Sequence, residues 1–170
     1  MVNLRLRSLI SLLLAATSIT SCNRYEGVIN VGGVTKAEIV GGIPSQIPVA
    51  ALDEIIAYFE SLNLALDSGD ISSFKSGRFD SCGCLVIAEN ISSLWEKSNL
   101  IGGDYLVREI APLRIGATAL QIKVLVLRTE VLKIDRSTGS VESWPEKEIA
   151  TNFSLDKKGG RWLMTGSSAG

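Results

Sequence analysis

Residues 48–70 read PVAALDEIIAYFESLNLALDSGD, and this stretch sets the order in which the fold is built. Leu52, Ile55, Ile56, Phe59, Leu62 and Leu66 recur at three- and four-residue spacing. That spacing gathers them on one face of an α-helix, which then has to be buried against something else. Asp53, Glu60, Asn63 and Asp67 fall mostly off the stripe. Pro48 suits the helix start, where a missing N–H leaves no helical carbonyl unpaired. Asp53 and Glu54 place negative charge in the first turns, where the helix dipole favours it, and Gly69 supplies the stop. Downstream, Asp70 is expected to cap a short helical turn through Phe74, and Gly77 marks a loop. A second helix, opening at Asp80 or Ser81, carries Leu85, Ala88, Ile91, Leu94 and Trp95 as its stripe and is predicted to run to Gly102-Gly103.

After Gly103 the apolar period changes from helical to alternating. Residues 104–110 read as one strand, with Pro112 ending it or placing it at an edge, because proline cannot donate to a ladder. Residues 119–134 read as one long strand. Leu120, Ile122, Val124 and Val126 face one way, and Leu125 and Leu127 make the other face apolar too, as in a strand covered on both sides. Ser137-Thr138-Gly139-Ser140 turns the chain. Residues 148–155 form a strand, Lys157-Lys158-Gly159-Gly160 a hairpin turn, and residues 161–165 a last strand with Trp162 and Met164 on one face. Helices first and antiparallel strands afterwards make an α+β domain over residues 48–170.

The chain has 170 residues, 46% hydrophobic, 21% charged and 6% aromatic, with a net charge of -1; such a composition belongs to an ordinary globular domain. Seventeen basic residues against 18 acidic ones leave no excess of positive charge for nucleic acid, so no nucleic-acid partner is expected. Histidine is absent. That excludes Ser-His-Asp and Cys-His sites and removes the commonest metal ligand. No cofactor or metal is implied, since two cysteines without histidine fall short of a structural zinc site.

The first residues are an address. Arg5 and Arg7 precede the apolar run of residues 8–16, the charged start and apolar middle of an export signal. The run is too short for a membrane span, which needs roughly 20 apolar residues. It ends in Ile19-Thr20-Ser21-Cys22, which resembles a bacterial lipobox. That resemblance implies a signal peptide over residues 1–21, cleavage before Cys22, a diacylated Cys22 thiol and further acylation, palmitate for instance, of the new amino terminus. The protein would then be held on the outer side of the bacterial cell membrane. Each buried methylene contributes about 0.8 kcal/mol, so two or three chains hold what one does not. The alternative is a plain secretory signal that leaves Cys22 as a free thiol. With Cys22 on lipid, the remaining cysteines, Cys82 and Cys84, form a pair. Residues 22–47, interrupted by Gly32-Gly33 and Gly41-Gly42, read as the lipidated terminus and a tether, with an added edge strand around residues 28–34 as an alternative.

The order of a long helix, a short turn, a second helix and a curved antiparallel sheet resembles the cone-shaped fold shared by nuclear transport factor 2, scytalone dehydratase and ketosteroid isomerase. Phe153-Ser154-Leu155 and Gly160-Arg161-Trp162-Leu163 look like the final hairpin of that superfamily. Leu62-Asn63-Leu64-Ala65, Ser68-Gly69-Asp70 and the following cysteine pair resemble a domain family of unknown function found in actinobacterial lipoproteins. That family has two residues between its cysteines, whereas Cys82-Gly83-Cys84 has one. Two residues apart on a helix point about 200° from each other, so bonding Cys82 to Cys84 requires Gly83 to leave helical geometry, which a positive φ permits. A structural disulfide is the expectation in an oxidising compartment, with two buried thiols as the alternative.

Enzymes of the superfamily place an aspartate in the mouth of the cone. Asp53, Asp67 and Asp104 are the carboxylates such chemistry could use, but carboxylates at these positions are more often solvated, and none is assigned a catalytic role. Tyr58, Trp95 and Tyr105 are candidates for lining a pocket, with core packing as their alternative. Asn90-Ile91-Ser92 and Asn152-Phe153-Ser154 match the glycosylation pattern, chance matches in a chain with a bacterial address. The function expected is that of a membrane-anchored lipoprotein with a non-catalytic domain for a partner protein or a small apolar ligand. The alternatives are a small isomerase or dehydratase using a buried carboxylate, and assembly as a homodimer through the sheet face.

Overall fold

The computed structural model describes Pro44 and residues 46–170; the lipobox, Cys22 and most of the tether lie outside the described residues. Helix α1 spans Val49–Ser68. The Pro48 carbonyl accepts from Ala51 and Leu52 N–H groups at 2.9 and 3.1 Å, so the helix begins where the proline predicts. Gly69 ends it in the left-handed region at φ 75°, its N–H donating to the Ala65 carbonyl. All six stripe residues, Leu52 to Leu66, are buried. A one-turn helix α2, Ser72–Lys75, follows, with the Asp70 carboxylate accepting from Ser72 N–H at 2.8 Å. A 3₁₀ turn, Asp80–Cys82, leads to α3, Leu85–Lys97.

Seven antiparallel strands follow in two sheets: β1 Ser98–Gly102, β2 Tyr105–Ile115, β3 Ala119–Arg128, β4 Val131–Asp135, β5 Val141–Trp144, β6 Lys147–Lys158 and β7 Arg161–Ala169. The larger sheet runs β2-β3-β6-β7 and the smaller β1-β4-β5. The larger sheet turns Val107, Ile110, Ile122, Val124, Phe153, Leu155 and Met164 toward the helices, and these residues join the α1 stripe in one core. The architecture is α+β, helices laid on a curved antiparallel sheet.

Several boundaries differ from the sequence expectations. The second helix stops at Lys97 rather than at Gly102-Gly103, because residues 98–102 pair with residues 131–135 and become β1. Ser98 and Leu100 are buried while Asn99 and Ile101 are exposed, a period of two that five residues are too few to announce. The long strand at residues 119–134 is two strands. At Thr129 the chain leaves one sheet for the other, and the corner is tied to the β1–β2 corner by Gly103 N–H to Thr129 Oγ1 at 3.1 Å and Thr129 N–H to the Asp104 carbonyl at 2.9 Å. Pro112 does not end β2, which is the outer strand of the described sheet and absorbs the proline with register shifts on both sides of it. Leu125 and Leu127 lie on the outer face and are half-buried, not covered by a second layer of described residues. Strand β5 was not foreseen, and β6 and β7 extend past their expected ends.

Candidate functional site

Five aromatic residues occupy the cone between α1 and the larger sheet. Tyr58 is 3% exposed, and its ring meets Phe59, Phe74, Phe79 and Phe153 edge-on at centroid distances of 5.1, 5.9, 5.8 and 5.3 Å. Edge-to-face pairs are the favoured geometry for rings, adding to the area they bury. Burial pushes the Tyr58 phenol well above the ordinary tyrosine range, and the neighbouring Tyr105 raises it further. Tyr105 is half-buried, touches Phe59 at 6.0 Å and is pinned to α1 by Asn63: Tyr105 N–H donates to Asn63 Oδ1 at 2.8 Å, and Asn63 Nδ2 donates to the Tyr105 carbonyl at 3.2 Å. Tyr58 and Tyr105 thus share Phe59. Trp95 stands apart, over the end of α1, with its indole N–H donating to the Leu66 carbonyl at 3.1 Å and the Arg136 guanidinium 5.8 Å above its ring. Sequence spacing identified three aromatic residues; the structure makes Tyr58 a core residue and gives Tyr105 and Trp95 hydrogen-bonded positions at its edge.

The carboxylates fall differently from expectation. Asp67 and Asp104 are exposed and Asp53 is half-buried. The buried acid is its neighbour Glu54, 5% exposed. Its Oε2 accepts from Arg78 Nε and Nη2 at 3.0 and 2.7 Å, while Oε1 is buried with no hydrogen-bond partner among the described residues. Arg78 also lies over Phe79, 5.5 Å from the ring centroid, so the loop that carries it is fastened to the aromatic core. Helix spacing puts Glu54 near the buried stripe, but Arg78 lies 24 residues on, and nothing local to either residue signals the pair.

Cys82 and Cys84 are bonded to each other, with Cα atoms 5.2 Å apart. Gly83 between them takes φ 68°, the departure from helical geometry that the bond requires. Both cysteines are buried, and Cys84 Sγ lies 3.7 Å from Met164 Sδ. The bond closes a small ring at the entrance of α3, and Cys84 packs that entrance on Met164 of β7, away from solvent.

Depressions open to solvent lie on the outer sheet face and beside α3. One of about 90 Å³ on the outer sheet face lies between Glu109, Ala111, Lys123 and Leu125. A second, of about 230 Å³, crosses the far end of that face from Arg114 through Gln121 and Ser154 to Asp156 and Thr165. The third, also about 230 Å³, runs between α3 and the smaller sheet and is lined by Asn90, Ser93, Leu94 and Lys97 on one side and Ser98, Lys133 and Asp135 on the other. No cluster of three or more metal-ligating side chains occurs among the described residues, and no helix among them is long and apolar enough to cross a membrane.

Helices, hairpin and curved sheet together have the cone-shaped arrangement. The fold is α+β and cone-shaped, like that of nuclear transport factor 2. No family model matches the sequence, and no curated protein does. Among solved structures, the chain is similar to the intermembrane space region of the chloroplast protein ARC6, at 11% identity over 74% of this chain and 98% of that one, TM-score 0.54. It is also similar to a Nostoc punctiforme protein of unknown function with a cystatin-like fold, at 10% identity over 73% and 92%, TM-score 0.44. An NTF2-like protein with a cystatin-like fold from Novosphingobium aromaticivorans aligns at 12% identity over 70% and 80%, TM-score 0.43.

The groove beside α3 was not foreseen. Asn90, Ser93 and Lys97 stand at i, i+3 and i+7, a polar stripe on the helix, and Lys133 and Asp135 alternate on one face of β4. Either signal is commonplace by itself. The register of β1 against β4, with Ser98 opposite Asp135 and Leu100 opposite Lys133, is what brings the two sets together.

Proposed function

We propose that this chain is a lipid-anchored extracytoplasmic protein whose cone-shaped domain recognises a ligand or partner without transforming it, a role in keeping with its resemblance to a domain family of actinobacterial lipoproteins. The observation that supports the non-catalytic half is the packing of Tyr58, Phe59, Phe74, Phe79 and Phe153 ring to ring inside the cone, in whose mouth enzymes of the resembled superfamily place an aspartate. The open depressions lie outside that core and present polar side chains suited to recognition. The anchor half rests on Ile19-Thr20-Ser21-Cys22.

The test is the intact mass of the protein extracted from membranes, beside a Cys22→Ala variant. A diacylglycerol adduct that disappears in the variant, together with membrane retention, supports the reading. An unmodified chain in the soluble fraction refutes the anchor and leaves a secreted binding protein.

A second reading has one observation in its favour: the buried Glu54 carboxylate with an unpartnered oxygen is the kind of group an isomerase or dehydratase uses. Arg78 already holds the other oxygen, as in a structural ion pair. A carbon-acid exchange assay, for example deuterium uptake by a small ketone monitored by NMR, separates the two. Turnover abolished by Glu54→Gln in a folded variant would establish the enzyme.

A further inference from the structure

We propose that the Cys82–Cys84 bond is a redox switch: a dithiol reductant opens it, α3 extends backwards by a turn, and Cys82 emerges as a solvent-facing thiol while Cys84 stays buried. The inference goes beyond the binding reading and does not depend on it. A bond between residues two apart constrains the unfolded chain little, because that contribution grows with the length of the loop closed. Its local effect is larger. The 3₁₀ turn Asp80–Cys82 and helix α3 are separated by Gly83 and Cys84. Cys84 is already helical, at φ -70° and ψ -23°, so Gly83, at φ 68° and ψ 9°, is the residue that interrupts the path. Residues two apart on a continuous helix point about 200° from each other, so the bond and a continuous helix exclude one another. Packing does not wedge Gly83 in place, since beyond its chain neighbours no atom lies within 4 Å of where its Cβ would be. The bond is the constraint that keeps Gly83 left-handed and α3 short.

Opening the bond frees the ladder to run on. Leu85, Val86 and Ile87 then gain the carbonyls of Ser81, Cys82 and Gly83, four residues back, as helical partners. These are N–H groups that a helix starting at Leu85 leaves outside its own ladder. Helical spacing decides which sulfur emerges. Cys84 stands four residues before Ala88 and seven before Ile91, the buried residues of α3, so extension leaves it against Met164, whose Sδ lies 3.7 Å away. Cys82 stands four residues before Val86 and seven before Glu89, both exposed, so it joins the outward face.

The exchange balances. One sulfur of the dithiol attacks Cys82 Sγ, because Cys82 is 7% exposed and Cys84 0%. The Cys82–Cys84 bond breaks, and Cys84 leaves as a thiolate that takes up a proton. The reductant's second sulfur then attacks the mixed disulfide, forming the reductant's own disulfide and releasing Cys82, which takes up the other proton. Two electrons and two protons pass from the dithiol to the pair.

The experiment treats the intact, detergent-extracted protein with dithiothreitol in the absence of denaturant. After the reductant is removed, a brief N-ethylmaleimide pulse is applied and the labelled residue is located by peptide fragmentation, which reads Cys22 separately. Amide hydrogen exchange over residues 81–88 is followed alongside by mass spectrometry. Cys82 is expected to label at least about tenfold faster than Cys84, as an exposed thiol does against a buried one, and exchange at residues 85–87 is expected to slow on reduction. A bond that only braces the loop predicts equal labelling and faster exchange there. Gly83→Ala reads the same equilibrium without a thiol probe, because alanine is penalised at positive φ and favoured over glycine in a helix. It should shift the equilibrium with dithiothreitol toward the thiols by at least about tenfold (about 1.4 kcal/mol), whereas Gly139→Ala, at φ 70° in the β4–β5 turn, should leave it unchanged. A bond that dithiothreitol does not reduce in the folded protein, equal or inverted labelling, faster exchange at residues 85–87, or a Gly83→Ala variant that reduces like the parent overturns the proposal.

Discussion

Replacing Gly69 with alanine tests how the end of α1 is built, because two separate costs meet there and one can be subtracted. Gly69 sits at φ 75°, and holding an L residue in the left-handed region costs about 1–2 kcal/mol. Its added Cβ would also lie 2.9 Å from Trp95 Cγ, 3.0 Å from Trp95 Cβ and 3.2 Å from Cδ1. The indole must then shift, which strains the hydrogen bond from its N–H to the Leu66 carbonyl, worth about 1 kcal/mol, and repacks its contacts at ~1 kcal/mol or more. The expected total is roughly 2–4 kcal/mol. Gly139→Ala is the control, since φ there is 70° with no atom within 4 Å of the added carbon, so only the same backbone cost of about 1–2 kcal/mol remains. Urea unfolding followed by tryptophan fluorescence measures both, with the m-value checked for constancy. If the two variants lose the same stability to within about 0.5 kcal/mol, the Trp95 contact contributes nothing and the argument is wrong.

Two further outcomes are expected. Arg78→Ala should destabilise by about 1.5–3 kcal/mol, toward the lower value because the Arg78 side chain is 39% exposed. Adding Glu54→Gln should recover part of the loss by removing the buried charge; urea midpoints of the single and double variants that simply add would refute the coupling. Asp135 is held well below its ordinary value of 3.8 by hydrogen bonds from Ser137 and Thr138. Its folded form therefore prefers the ionised state, and the resulting stability is full above the unfolded value and lost as pH falls below it. Unfolding midpoints measured between about pH 6 and pH 2.5 should fall less steeply for Asp135→Asn than for the parent, and parallel curves would refute the assignment.

Much of the helical half was legible because its signals are local. The stripe from Leu52 to Leu66, the start at Pro48 and the stop at Gly69 are written within about 20 residues, and a helix satisfies its hydrogen bonds within the same span. The hairpin at Lys157-Lys158-Gly159-Gly160 was legible for the same reason. Strand β1 was not, because Ser98–Gly102 acquires its identity from pairing with Val131–Asp135, some 30 residues away in sequence. The same pairing makes the groove, so the candidate site was hidden with it.

Local signals were enough for the class of the fold and the core face of α1, since periodicity and a stop residue each act through near neighbours. Only the tertiary structure decided that Glu54 rather than Asp53 is the buried acid, that Tyr58 belongs to an aromatic core, and that Lys97 and Ser98 meet Lys133 and Asp135 across one groove. Those outcomes depend on which distant segments touch, and strand register and helix packing set that only when the whole chain has closed on its core.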